Sequence, residues 1–265
     1  MTREQVYGRR PVREAMRGPR ELLELWASER ALAAEPWLRD AGVRVQVKPE
    51  RELTQAAGTR DHQGALAWCE PYRYADAWEL ADRASPLLAC LDQVSDPRNL
   101  GAVCRTVDGA GATGVVVPAH GSARVTPAVC RASAGAVEHV AVAVVPNLAR
   151  YLADVKRDDL WTYAAAPGKA STPMWGADLS GGVALVFGAE GRGVRPLVRK
   201  TCDDAVAIPV AGRVESLNVS VAAAVLLYEA LRQRHEAETA MGQALGADAE
   251  RAAGEPTPRP ATTDP

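Results

Sequence analysis

From Leu87 to about residue 234 the chain keeps one rhythm: a short apolar run, a turn, then an amphipathic segment. The apolar runs fall at 87–92, 113–118, 140–145, 161–166, 183–187 and 205–210, and helical periodicity fits near 99–110, 126–134, 147–156 and 218–234. Strands that are apolar at every position, rather than at alternate ones, are buried on both faces. The helices between them supply the crossovers that parallel neighbours need. The expected class is α/β, with a mostly parallel sheet covered on both sides. In such folds the loops at the carboxyl ends of the strands hold the site.

Residues 1–70 read as a separate small domain of mixed structure. Val12 to Met16 and Leu22 to Ala33 carry helical periodicity around a break at Gly18-Pro19. Val43 to Val47 alternates as a half-buried strand after Gly42, Leu53 to Ala57 suits a short helix, and Gly64 to Cys69 a closing strand. Residues 71–86 form a connector whose Tyr72, Tyr74 and Trp78 either anchor it to its neighbours or stack on bases. The larger α/β domain then spans 87–235. Residues 236–265, rich in Ala, Pro, Glu and Thr without periodicity, are expected to be disordered.

Taken alone the net charge of −2 argues against a nucleic-acid partner, but its distribution says more. Residues 236–265 carry six acids and two arginines, so the remainder of the chain is net positive, and the first twenty residues hold six arginines against two glutamates. That local basic patch is compatible with RNA. Arg9, Arg10 and Arg13 are candidate phosphate contacts or an ordinary solvated face. The five cysteines are scattered and never lie at ligand spacing with the four histidines, so buried thiols in a reducing cytoplasm are expected rather than disulfides or a metal site. No apolar run is long enough to cross a bilayer, so no membrane partner is expected.

Chemistry-bearing residues concentrate in three places. Between the strand near 205–210 and the helix near 218, the chain packs Arg213, Glu215, Ser216 and Asn218 into six residues. Gly188-Ala-Glu-Gly-Arg-Gly193 follows a strand, but its spacing is neither that of a dinucleotide loop nor that of a phosphate-binding P-loop. Its glycines suit the close approach of backbone to a flat ligand. Asn99 opens a predicted helix, either as its cap or as a functional amide. Arg105 stands among Val103, Thr106 and Val107, where an arginine is costly unless paired. Glu190 either ties the glycine loop together or positions Arg105 or Asn218, and Asn218 either caps its helix or contacts a ligand. A hydrolase using Ser216 lacks its partners: there is no Gly-x-Ser-x-Gly and no histidine in a comparable loop.

Three ordered stretches resemble the motifs of the SpoU (TrmH-like) RNA ribose methyltransferases of the SPOUT superfamily. They are Asp96 to Arg105 with its Asn-x-Gly-x-x-x-Arg core, Phe187 to Gly193, and Val206 to Glu229, with Ser133-Ala-Gly-Ala136 between the first two. Val6 to Ala15 and His62-Gln-Gly64 are similar to the ribosomal-protein-like RNA-binding domain of bacterial 23S ribosomal RNA guanosine ribose methyltransferases. His62 is equally a structural turn residue.

The resemblance implies a C-terminal trefoil knot around 188–234, and S-adenosylmethionine held by the backbone at Gly188, Ile208 and Leu217, with Ala165 to Lys169 and Asn218 nearby. It also implies a homodimer through the C-terminal domain and a catalytic set of Arg105, Asn99, Glu190, Ser216 and Asn218, with no metal. Arg105 cannot surrender its proton at neutral pH, so gripping the phosphate beside the target ribose suits it better than acting as a base. The expected activity is methyl transfer to a ribose 2′-hydroxyl, most simply of a guanosine in 23S ribosomal RNA or its precursor particle. Transfer RNA, an antibiotic-resistance ribosomal site, and a non-catalytic RNA-binding or assembly role remain the alternatives.

Overall fold

A computed structural model describes residues 2–254 apart from 169, 214 and 215. In the N-terminal part, β1 (Glu4–Tyr7), α1 (Arg9–Arg17), β2 (Leu22–Ala27), α2 (Glu29–Ala34), β3 (Val45–Val47), α3 (Glu50–Ala57) and β4 (Ala65–Cys69) build a four-stranded sheet in the order β1-β4-β2-β3. Only β2 and β3 run parallel. The helix expected over 22–33 is in fact a strand followed by a short helix. Leu22–Ala27 lies between β4 and β3, where tertiary pairing overrides a periodicity that fits both structures, and Ser28 caps α2 by accepting from the Ala31 N–H at 3.2 Å.

The connector is packed rather than loose. It contains α4 (Ala77–Ala81) and is tied down by its aromatics. The Tyr72 hydroxyl donates to the Val140 carbonyl at 2.7 Å, the Tyr74 hydroxyl accepts from the Val125 N–H at 3.0 Å, and Trp78 meets the later Tyr151 edge-on at 5.4 Å. Of the two readings for these rings, anchoring is the one the contacts bear out.

The larger part comprises β5 (Leu87–Asp92), α5 (Pro97–Gly109), β6 (Gly114–Pro118), α6 (Pro127–Ala132), β7 (Val142–Val145), α7 (Leu148–Val155), β8 (Leu160–Ala165), β9 (Thr172–Pro173), β10 (Gly182–Gly188), α8 (Pro196–Thr201), β11 (Asp204–Ala207) and α9 (Val219–Gly254). The seven strands are ordered β7-β6-β5-β10-β8-β11-β9, and every pairing is parallel. Alternate residues of the central strands point to opposite faces. Leu87, Ala89, Leu91, Val183, Leu185 and Phe187 join α5, α6 and α9 in one core, while Leu88, Cys90, Ala184 and Val186 join α7 and α8 in the other. The carboxyl ends of β5, β10, β8 and β11 converge at one edge, which is where a parallel sheet offers a crevice.

The expected disorder of 236–254 is corrected: α9 continues through it to Gly254. Alanines with interspersed Glu, Gln and Met are strong helix formers, and this intrinsic preference outweighs the missing apolar stripe. Residues 255–265 of the expected tail lie outside the described residues. The apolar face of 218–234 is core rather than a free surface, since Val219, Ala223, Leu226 and Leu227 are buried. A different stripe, Val221, Tyr228 and Leu231, is left exposed.

The two parts share one continuous core and a charged junction. Arg20, with a side chain 3% exposed, donates from Nε to Glu138 Oε2 at 2.9 Å and from Nη2 to Glu138 Oε1. Its Nη1 also reaches Glu4 Oε2 at 3.1 Å and the Glu70 carbonyl at 3.2 Å. Beside this pair, His139 Nε2 lies 2.9 Å from Glu14 Oε2. Gly135 (φ +92°) lets α1 come close, because a Cβ there would press into the Glu14 side chain.

Candidate active site

Asp96 caps α5, its carboxylate accepting the Arg98 N–H at 2.8 Å. That frees Asn99, one turn in, from the capping role the sequence allowed it. Asn99 Nδ2 instead donates to Glu190 Oε1 at 2.8 Å across 91 residues of chain. Asn218 takes up the capping role and joins the cluster as well. Its Oδ1 accepts the Ser220 N–H at 2.8 Å and the Ser220 hydroxyl at 2.6 Å, which orders the start of α9. With the oxygen so engaged, Nδ2 faces the other way, 2.5 Å from Glu190 Oε1 and 3.1 Å from Asn99 Oδ1. Glu190 therefore gathers two side-chain amides rather than loop N–H groups, and one residue from each motif meets at one point.

The glycine loop is shaped for this. Gly193 N–H donates to the Ala189 carbonyl at 2.8 Å, closing a tight turn with φ values of +75° at Gly191 and +65° at Gly193. A Cβ on Gly188 would overlap the backbone of Gly193 and Val194, so only glycine fits there. The loop is fastened from below by a residue the sequence reading missed. Asp92, fully buried at the end of β5, accepts the Arg195 N–H at 2.8 Å and Arg195 Nε at 2.8 Å. A buried carboxylate demands such partners. The signal lay in Asp92 ending a strand otherwise built of apolar residues.

Beside the cluster, at the strand ends, opens a cleft of about 680 Å³ walled by Ala165, Pro167, Gly188, Ile208, Val210, Ser216, Leu217 and Asn218. Of the residues proposed for the cofactor, Ala165, Gly188, Ile208, Leu217 and Asn218 are thus brought to one cavity, although Ile208 and Val210 lie beyond β11, which ends at Ala207 rather than running to 210. Its size and mixture of small apolar side chains with exposed backbone suit an adenosine-sized ligand. Lys169 and Glu215, also singled out from the sequence, lie outside the described residues. Ser216 is exposed in the cleft wall, and Arg213 is exposed beyond it.

Arg105 stands differently from its expectation. It is exposed on α5, whose buried positions are Leu100, Gly101, Val103, Cys104 and Val107, and it makes no ion pair among the described residues. Helical geometry turns it away from the apolar neighbours it has in sequence, so the argument from burial cost does not apply. Arg105 is not among the residues that wall the cleft, and its exposed guanidinium remains available to an anion. The basic residues of α1 divide. Arg9 is drawn into structure, its Nε donating to the Gln63 carbonyl at 3.1 Å, and Arg13 lies over the Trp37 ring at 5.7 Å. Arg10 is exposed. His62 is structural: its Nδ1 accepts the Gly64 N–H at 3.0 Å and its Nε2 meets Thr54 Oγ1 at 2.9 Å. Next to it, Arg9, Arg30, Lys48 and Arg60 border a groove of about 960 Å³.

All five cysteines are buried and free, and burial pushes the Cys69 thiol up to about 11 and those of Cys104 and Cys202 to about 12. Thiols so held stay protonated and are poor nucleophiles or ligands. No cluster suited to a metal occurs among the described residues.

The profile of the SpoU rRNA Methylase family matches residues 86–228, over half the chain, and that of RNA 2′-O ribose methyltransferase substrate binding matches residues 5–75. The chain belongs to the SpoU family. Its activity is that of the family, S-adenosylmethionine-dependent methyl transfer to an RNA ribose 2′-hydroxyl. The chain is 39% identical over 244 residues to the 23S rRNA (guanosine-2′-O-)-methyltransferase RlmB of Vibrio vulnificus, covering 88% of this chain and 98% of that one. A solved RNA 2′-O ribose methyltransferase superposes with a TM-score of 0.73 at 30% identity, over 88% of this chain and 89% of the other. The SpoU methyltransferase AviRb from Streptomyces viridochromogenes, solved with AdoMet, shares the fold with a TM-score of 0.75 at 24% identity, over 88% and 91% of the two chains.

Proposed function

We propose that this SpoU-family protein methylates the ribose of a guanosine in 23S ribosomal RNA or its precursor particle, in the cytoplasm and as a homodimer. The meeting of Asn99, Glu190 and Asn218 beside the cleft carries the reading of the site. The choice of substrate rests on the similarity to the Vibrio vulnificus enzyme, which extends through the N-terminal domain. S-adenosylmethionine supplies a methyl group already activated by its sulfonium charge. The chain's own work is then orientation. Ala165, Gly188, Ile208 and Leu217 hold the cofactor, and the amides of Asn99 and Asn218, set by Glu190, fix the reacting edge of the cleft together with Ser216. Arg105 grips the phosphate next to the target ribose, and a phosphate oxygen or a water takes the 2′-hydroxyl proton, since the guanidinium is already fully protonated.

The trefoil knot belongs to the same proposal: the chain around 188–234 passes through an earlier loop. Family membership and the insertion of β10 between β5 and β8 support it. The exposed stripe of Val221, Tyr228 and Leu231 on α9 supports dimerisation through the C-terminal domain. Sedimentation of the full chain at micromolar concentration should give a dimer that Tyr228→Arg weakens, and a monomeric wild type would contradict it. For the substrate, ribose methylation is mapped in RNA from cells with and without the protein. One guanosine of 23S RNA should lose its mark; an unchanged 23S map with a change in transfer RNA would replace the reading.

A further inference from the structure

The cleft draws its walls from both faces of the sheet. The α5/α9 face contributes Asn99 and Asn218 to its edge, while α8, packed with α7 on the opposite face, contributes Arg199. The base of Arg199 is firm, because its neighbour Val198 and the following Cys202 are buried and its own N–H donates to the Arg195 carbonyl at 2.9 Å. Arg195 is in turn gripped by Asp92. From there the side chain extends across to the loop after β8, with Nη2 3.5 Å from the place a Cβ on Gly168 would take. Among the described residues the Arg199 guanidinium has no ion pair or hydrogen bond, and the only acid in the cleft wall, Glu190, is engaged by the two amides.

We propose that Arg199 is the carboxylate-binding arm of the cleft, holding the amino-acid end of S-adenosylmethionine on the α8 side while the methyl group is used on the α5/α9 side. This rests on the cofactor reading above. The nucleoside part needs only apolar walls and backbone, which Ile208, Leu217 and Gly188 provide, whereas a carboxylate leaving water needs a charged donor. The planar fork of an arginine matches a carboxylate with two parallel hydrogen bonds. Arg192, the other cation of the wall among the described residues, sits on the tip of the glycine loop rather than on a helix fixed in the core.

The test is calorimetric binding of two ligands to the full-length protein: S-adenosylhomocysteine, and 5′-methylthioadenosine, which lacks the amino-acid end. Arg199→Ala should weaken S-adenosylhomocysteine about tenfold, the loss expected for a partly exposed charge-assisted hydrogen bond, and leave methylthioadenosine unchanged. Arg199→Lys should recover part of the difference, and Arg192→Ala should keep the wild-type ratio of the two affinities. Equal affinities for wild type and Arg199→Ala, an equal loss on both ligands, or a loss found only in Arg192→Ala would overturn the assignment. A raised KM for RNA with the ligand ratio kept would also overturn it, making the bound anion an RNA phosphate. Wild-type protein that binds neither ligand would bring down the cofactor reading itself.

Discussion

Two arginines set the molecule's two charged regions against each other. Arg20, at the junction of the domains, is buried and answers to Glu138, Glu4 and a backbone carbonyl. Arg105, on α5 and outside the cleft wall, is exposed and unpaired among the described residues. In sequence only Arg105 stands among apolar residues as though it needed a partner, whereas Arg20 follows a Gly-Pro break in a charged stretch. The difference teaches that an arginine becomes architecture when its helix or loop carries it inward to a carboxylate, and stays free for a ligand when helical periodicity carries it outward. Neighbours in sequence do not decide which.

The comparison breaks first at Arg20. Replacing it by Met leaves Glu138 buried without its partner and should cost about 3–5 kcal/mol of stability. Arg20→Met combined with Glu138→Leu should recover much of that in a denaturant titration. A single variant as stable as wild type would show that the junction is not held by this pair.

Arg105→Ala should do the reverse, lowering single-turnover methyl transfer about 10²–10³-fold while the melting temperature and cofactor affinity stay near wild type. Arg105→Lys keeps the charge but loses the two-pronged contact, and should remain badly impaired. Near-normal turnover in Arg105→Ala would remove it from the mechanism.

Between these extremes stands Asp92, buried like Glu138 yet serving the cleft. Asp92→Asn should weaken S-adenosylhomocysteine binding roughly tenfold through the loosened 188–195 loop, on the scale of a hydrogen bond to a charged group. Unchanged affinity would mean that the loop holds its shape without Asp92. The smallest effect is expected at Arg10, exposed on α1. Arg10→Glu should weaken RNA binding and flatten its salt dependence by about one phosphate contact, with cofactor affinity untouched. An unaltered salt slope would place the RNA surface elsewhere.

The parallel sheet was legible because residues buried on both faces leave uninterrupted apolar runs, and five of its strands lie within two residues of their expected bounds; only β11 stops three residues short, at Ala207. The N-terminal sheet was less so: Leu22, Leu25 and Trp26 satisfy a helical period and a strand equally, and only pairing with β3 and β4 decides. For the site, the motif residues were legible one by one. Their convergence was not, since Asn99 and Glu190 are 91 residues apart and Asp92 and Arg195 are 103 apart. Across 236–254 the lack of an apolar stripe reads as disorder, whereas the alanines there favour the helix that forms.

The place of β10 has a consequence for how the chain reaches this state. Its neighbours β5 and β8 are both made before it, and they do not pair with each other. Until residues 182–188 arrive, β5 and β8 each present an open, apolar edge with unsatisfied backbone groups, a state prone to pairing with other chains. Closing the gap joins segments nearly a hundred residues apart, as Val183 opposite Leu87 shows, so the last central strand should be the slow step of folding. The same insertion brings Gly188 and Glu190 to the edge where Asn99 waits, so the cleft is completed only when the sheet is.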